Sequence, residues 1–226
     1  VQDALEPALA EIAGSAVSIT GAGRTDRGVH ARGQVAHFDT EARRPLSAWV
    51  RGVNALLPDA VAVLWSHEVP ADFHARYSAL SRTYRYELLN RAVRPAISAR
   101  YAGWFHRPLD VPAMQQAAAM LVGEHDFSAF RAAECQAKTP VRSLKSFEVF
   151  HENHSIHFVV TANAFLHHMV RNLVGTLVYI GSGKHPPQWA RELLETKDRT
   201  KAAPTFGPEG LYLERIEYEP KWGLPI

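Results

Sequence analysis

The sequence predicts an α+β fold in two related halves with largely antiparallel sheets, and three observations carry that reading. Segments that alternate apolar and polar residues are interleaved with segments of helical period. The alternation runs along the chain twice, and a hairpin signal sits at Glu152-Asn153. A division near Pro108 gives residues 1–107 as the N-terminal half and 108–226 as the C-terminal half.

The elements follow in order. Leu5, Leu9 and Ile12 share one face of a helix over 1–13, stopped by Gly14; Pro7 implies that this helix starts there or bends. Residues 16–20 and 34–39 read as strands flanking a glycine-rich loop. Trp49, Val50, Val53, Leu56 and Leu57 are the apolar set of a helix over 47–57, closed by Pro58, and 60–69 reads as a strand. In 82–89, Tyr84, Tyr86 and Leu88 alternate with Thr83, Arg85 and Glu87, the pattern of a half-buried strand. In the second half, Met114, Ala117, Ala118 and Leu121 mark a helix over 111–122. Strands over 143–151 and 155–162 form the hairpin, helices follow over 165–180 and 188–196, and a strand over 211–218 closes the chain.

Composition narrows the class. Apolar residues make up 46% and charged residues 21%, as in ordinary globular proteins, and no stretch approaches the roughly 18 apolar residues of a membrane span. Residues 1–12 carry Asp3, Glu6 and Glu11 without a basic cluster, so they do not read as a signal peptide. Cys135 is the single cysteine, which rules out an internal disulfide and fits a reducing, cytoplasmic setting. The net charge of +2 is unevenly spread: seven arginines (76, 82, 85, 91, 94, 100 and 107) face one acid, Glu87, between Phe73 and Arg107. Tyr77, Tyr84, Tyr86, Tyr101, Trp104 and Phe105 are interleaved with them. Arginine forks suit phosphates and aromatic rings stack on bases, so the stretch suits nucleic acid; a solvated strand face over core tyrosines is the competing reading.

Chemistry concentrates in Gly21-Ala22-Gly23-Arg24-Thr25-Asp26-Arg27-Gly28-Val29-His30. Three glycines in eight residues permit close approach of a ligand, and arginines beside Asp26 favour the ionised carboxylate that a nucleophile needs. The loop lacks the endings of a phosphate cradle. Taken alone, an aspartate in a glycine loop is more often a turn residue than a catalyst.

This loop, through Phe38, resembles the signature of the TruA-type tRNA pseudouridine synthases. Further blocks resemble that family in its order: Val53-Asn54-Ala55-Leu56-Leu57-Pro58, Phe73-His74-Ala75-Arg76-Tyr77, Arg82-Thr83-Tyr84-Arg85-Tyr86, Gly123-Glu124-His125-Asp126-Phe127, and Phe165-Leu166-His167-His168-Met169-Val170-Arg171-Asn172. Lys197-Asp198-Arg199 and the Glu209-Gly210-Leu211-Tyr212-Leu213 ending extend the resemblance to nearly the whole chain.

The resemblance implies that Asp26 is the catalytic nucleophile, that Arg171 pairs with it, and that Tyr84 stacks on the flipped uracil and assists proton removal. It implies that Leu211 lines the base pocket, although plain core is an equal reading. The RNA-contacting stretches correspond to Arg24, Arg44, Phe73, His74, Ala75, Arg76 and Tyr77, and to Glu134, Cys135, Gln136, Ala137 and Lys138. The expected reaction converts uridine to pseudouridine at tRNA positions 38, 39 and 40, with no cofactor, in a chain whose two halves set their sheets side by side around a catalytic cleft and which forms a homodimer whose second subunit helps hold the tRNA. The carboxylate attacks either ribose C1′ or uracil C6.

Members of this family begin with a strand and a Tyr-Asp-Gly, Trp-Gln type loop before the first helix. This chain begins at that helix, about thirty residues later, which predicts a sheet short of one strand. No metal is expected, since adjacent histidines on a helix, such as His167 and His168, point apart and no His-Glu-x-x-His spacing occurs. Two alternatives stay open: an RNA-binding module in which Asp26 only makes a turn, and a hydrolase pairing Asp26 with Asp39.

Overall fold

A computed structural model describes residues 1–225. Along the chain run helix α1 (Gln2–Ala13), the short strands β1 (Thr20–Gly21), β2 (His30–Ala31) and β3 (Ala36–His37), a π-helical turn over Ala48–Gly52, and α2 (Val53–Leu56). Then come β4 (Ala79–Asn90), β5 (Gly103–Phe105), α3 (Val111–Ala119), β6 (Gly123–Asp126), β7 (Val141–Glu152), β8 (Ser155–Ala162), α4 (Met169–Gly181), α5 (Trp189–Thr196) and β9 (Leu211–Tyr218). The result is a mixed fold with a mostly antiparallel sheet, the α+β class that the pattern predicts.

Two compact units share this chain. One takes Val1–Arg24, Gln34–Leu80 and the segment from Glu217 on; the other takes Thr25–Gly33 and Ser81–Ile216. The partition runs differently from a single cut near residue 107. The reason is β4, which precedes that point but is hydrogen-bonded to β8, well after it, from Arg82↔Ala162 to Leu89↔Ser155.

In the first unit, α1 keeps its predicted face. Ala8, Leu9 and Ala13 are buried with Val17, Trp49 and Val53, and Leu5 and Ile12 pack against them. Gly14 ends the helix at φ 74°, a left-handed cap that glycine adopts without penalty. Pro7 lies inside the helix, which starts at Gln2. Three expectations need correction. The strands over 16–20 and 34–39 reduce to one two-residue ladder, Thr20↔His37 and Gly21↔Ala36. The helix over 47–57 is π-wound in its first turn. The strand over 60–69 is absent among the described residues: Asn54 instead bonds both backbone groups of Val63, at 2.8 and 2.7 Å, so a side chain takes the place of a ladder partner.

In the second unit the sheet order is β2-β9-β4-β8-β7-β6, with β5 parallel to β4 off that path. The hairpin turns where predicted, with Asn153 at φ 54°. Tyr86, Leu88, Ile156, Phe158 and Val160 fill one sheet face. Helix α3, capped by the Asp110 side chain, packs against β7 of this sheet, and α4 packs against α3. Helix α4 is buried nearly all round, through Leu173, Val174, Leu177, Val178 and Ile180 and also through Asn172 and Thr176. At about 1.5–3 kcal/mol for each large apolar side chain buried, this helix is a main anchor of the unit. It begins at Met169, four residues later than the periodicity suggests.

Candidate active site

Asp26 lies in the second unit, at the start of a tight turn in which Val29 N–H donates to Asp26 O at 3.0 Å. Gly28 takes φ 85°, and a Cβ there would stand 3.0 Å from Pro208 Cγ, so the turn needs glycine. Beyond the turn the backbone is fastened to β9: His30 pairs with Tyr212 and Ala31 with Leu213, in parallel. The His30 ring stacks on Tyr212 (4.8 Å) and Tyr101 (5.4 Å), and Arg32 lies over Tyr212 at 4.9 Å. The loop carrying Asp26 is thus held by a sheet on one side.

On its other side Asp26 meets the start of α4. Arg171 Nη1 donates to Asp26 Oδ2 at 3.2 Å, while its Nε donates to Phe206 O at 2.8 Å, which fixes the guanidinium. His168 Nε2 is 3.1 Å from Oδ2, and His167 Nε2 is 3.3 Å from Oδ1. The Arg171 side chain is 14% exposed and that of Asp26 25%, so the pair is shielded but reachable. Arg27 is exposed and is not an ion-pair partner of Asp26, so the positive charge comes from α4 rather than from the neighbour in sequence.

The two histidines correct a sequence expectation. They precede α4, and His168 has φ 60°, so the left-handed backbone turns both rings toward one carboxylate, with ring centroids 4.0 Å apart. Burial pushes the His168 imidazole below its ordinary pKa. His167 is tied in by its backbone: its N–H points at Cys135 Sγ (3.4 Å) and its carbonyl accepts from Ala132 N–H (3.1 Å). The only sequence signal for this arrangement is that histidine tolerates positive φ better than most residues. The donor atoms of Asp26, His167 and His168 lie within 4.8 Å of one another, a spacing able to grip a metal ion. Arg171, however, already places a positive charge on Oδ2.

Tyr84 sits on β4, 8% exposed, with Phe165 edge-on at 5.1 Å. Burial first, and then the Asp26 charge, push its phenol up to about 12. A phenol so held stays protonated near neutrality, which suits stacking better than service as a base. Leu211 is 5% exposed at the start of β9. Glu134, Cys135, Gln136, Ala137 and Lys138 form a surface segment in the same unit, and Arg131 stitches it by donating to Cys135 O and to Ala137 O. Because Cys135 also receives His167 N–H, this segment abuts the residues around Asp26.

The remaining predicted residues belong to the first unit. Arg24 is exposed, and Arg44 donates to Ile12 O at 3.0 Å. Phe73 and Ala75 are buried; the His74 ring lies 4.3 Å from that of Tyr77, which is 78% exposed, with Arg76 over it at 5.9 Å. His74 Nδ1 accepts from the backbone N–H of Arg76 and of Tyr77, which curls 73–77 around the imidazole.

The sequence pattern of the tRNA pseudouridine synthase family matches residues 1–78 and 117–219. All of this chain aligns with the tRNA pseudouridine synthase A of Dechloromonas aromatica, at 60% identity over 86% of that protein. The proteins of the same name from Methylobacillus flagellatus (58% identity over 86%) and Nitrosomonas eutropha (56% over 81%) align equally fully. A family match over most of the chain, together with relatives more than half identical along all of it, establishes that this chain belongs to the tRNA pseudouridine synthase family.

Proposed function

We propose that this enzyme isomerises uridine to pseudouridine in the anticodon stem-loop of tRNA, at positions 38, 39 and 40, with Asp26 as its nucleophile. The observation that carries the chemistry is a single carboxylate on a glycine turn, gripped by Arg171 and two imidazoles. A nucleophile must be held in one rotamer and kept charged, and this arrangement supplies both needs. The reaction is balanced without a cofactor. The N1–C1′ bond breaks, a C5–C1′ bond forms, the C5 hydrogen leaves as a proton and N1 gains one. Asp26 serves equally by attacking C1′ or C6 to loosen the base, which has first left its stack.

In this reading Tyr84 stacks on the uracil and Leu211 walls its pocket. Arg24, Arg44 and 73–77 take the RNA backbone together with 134–138; phosphate contacts by Arg76 and Lys138 position the stem without reading its sequence. The homodimer implied by the resemblance is part of the same reading, and sedimentation velocity checks it.

The test is carbodiimide treatment of tRNA incubated with the chain, followed by primer extension. Enzyme-dependent stops at positions 38–40 are expected. Stops elsewhere would overturn the assigned positions. Release of free uracil would indicate the hydrolase, and tRNA binding without any stop the RNA-binding module.

A further inference from the structure

The Asp26 carboxylate is held unequally. Oδ2 accepts a hydrogen bond from Arg171 Nη1 at 3.2 Å and also lies 3.1 Å from His168 Nε2, whereas Oδ1 has His167 Nε2 alone beside it, at 3.3 Å. An ionised carboxylate only accepts hydrogen bonds, so an imidazole that holds it does so with a proton on Nε2. The His168 ring cannot drift away. Its backbone is left-handed, its carbonyl accepts from Asn172 N–H at 3.0 Å, and its ring lies against that of His167.

We propose that His168 is a positioning residue which, with Arg171, fixes Oδ2 as the oxygen that carries charge, leaving Oδ1 as the oxygen that attacks. This rests on Asp26 being the nucleophile. Arg171 and His168 both stand against Oδ2, so the freer electron pair belongs to Oδ1. When Oδ1 bonds to carbon, Oδ2 becomes the carbonyl oxygen of the ester. When the carboxylate is later expelled, negative charge returns to Oδ2, where both donors already wait; such preorganised donors lower a barrier because nothing must reorient. His167 acts on the attacking oxygen. Its contact with that oxygen must lengthen as the new bond forms, so its loss costs less than that of His168.

The test compares His168→Ala, His168→Gln, His167→Ala and Asp26→Asn by tritium release from tRNA carrying 5-tritiated uridine. His168→Ala is expected to lower kcat about 100-fold, the usual effect of losing one such donor, with KM and tRNA affinity unchanged. His168→Gln, whose amide restores an N–H near the same place, recovers part of that loss. His167→Ala loses less than about tenfold, the worth of one ordinary hydrogen bond. A His168→Ala kcat within about twofold of the parent, or an equal loss in His167→Ala, overturns the inference. Turnover by Asp26→Asn would instead overturn the nucleophile on which it rests. Should the chain not turn over, long-range proton–nitrogen NMR decides: both rings must show the Nε2–H tautomer and shift in Asp26→Asn. A His168 ring without a proton on Nε2 overturns the inference.

Discussion

Arg171 does two things with one guanidinium. It donates from Nε to a backbone carbonyl at Phe206 and from Nη1 to Asp26. A lysine at this position has one ammonium and no fork, so it cannot satisfy both partners from one geometry. Arg171→Lys is therefore expected to lower kcat/KM by at least about tenfold while leaving the circular dichroism spectrum unchanged; tritium release measures the first. The resemblance to the family, rather than spacing, singled out Asp26, Tyr84 and Arg171 as a set, because each sits inside one of the runs of residues that carry it. The histidine pair was not legible. A helix begun at Phe165 sends adjacent side chains apart, whereas the actual chain enters α4 through a left-handed His168, and local sequence does not announce that conformation.

At the scale of elements, α4 and the segment after α5 form one support for the site. Phe206 N–H donates to Arg171 O at 3.3 Å, returning the bond that Arg171 gives to Phe206 O. Asn172, fully buried, donates to Phe130 O and accepts from Arg199 and from Thr205. This close approach depends on Gly175, where a Cβ would stand 2.5 Å from Pro204 O, a backbone atom with little room to move. Gly175→Ala is expected to destabilise by about 1–3 kcal/mol through overpacking and to lower activity as well, because Arg171 is aligned by the same contact. Urea unfolding and tritium release together check this; an unchanged midpoint with full activity would contradict it. The long strands β4, β7 and β8 were readable because burial on a face imposes a period over many residues, and α4 because its apolar run is long. The segment over 60–69 was misread as a strand, since at Val63 side-chain bonds from Asn54 stand in place of a ladder.

For the whole molecule, three histidines carry the pH dependence. His37, His157 and His168 each lie below the ordinary histidine value of 6.5, and burial is the largest cause in every case. The unfolded chain thus binds more protons than the folded one as pH falls through the unfolded value, so stability rises with pH across that window. It is fully present above the unfolded value and is lost as acid drives protons onto the buried rings. The Tm is expected to be level above about pH 7.5 and to fall steadily below about pH 6.5. A Tm that stays level or rises as pH is lowered through that range would contradict the burial argument. The α+β class was readable because the alternation of helical and strand periods extends over the whole chain. How the units share the chain was not, because β4 pairs with a strand some seventy residues later and no local pattern encodes that pairing.

The most direct measurement is tritium release from tRNA carrying 5-tritiated uridine, comparing the parent chain with Asp26→Asn at matched tRNA binding. Asparagine keeps the shape of the side chain but removes the anionic oxygen. Release by the parent and none above background in the variant is the expected result. Release that survives the substitution would contradict Asp26 as the nucleophile.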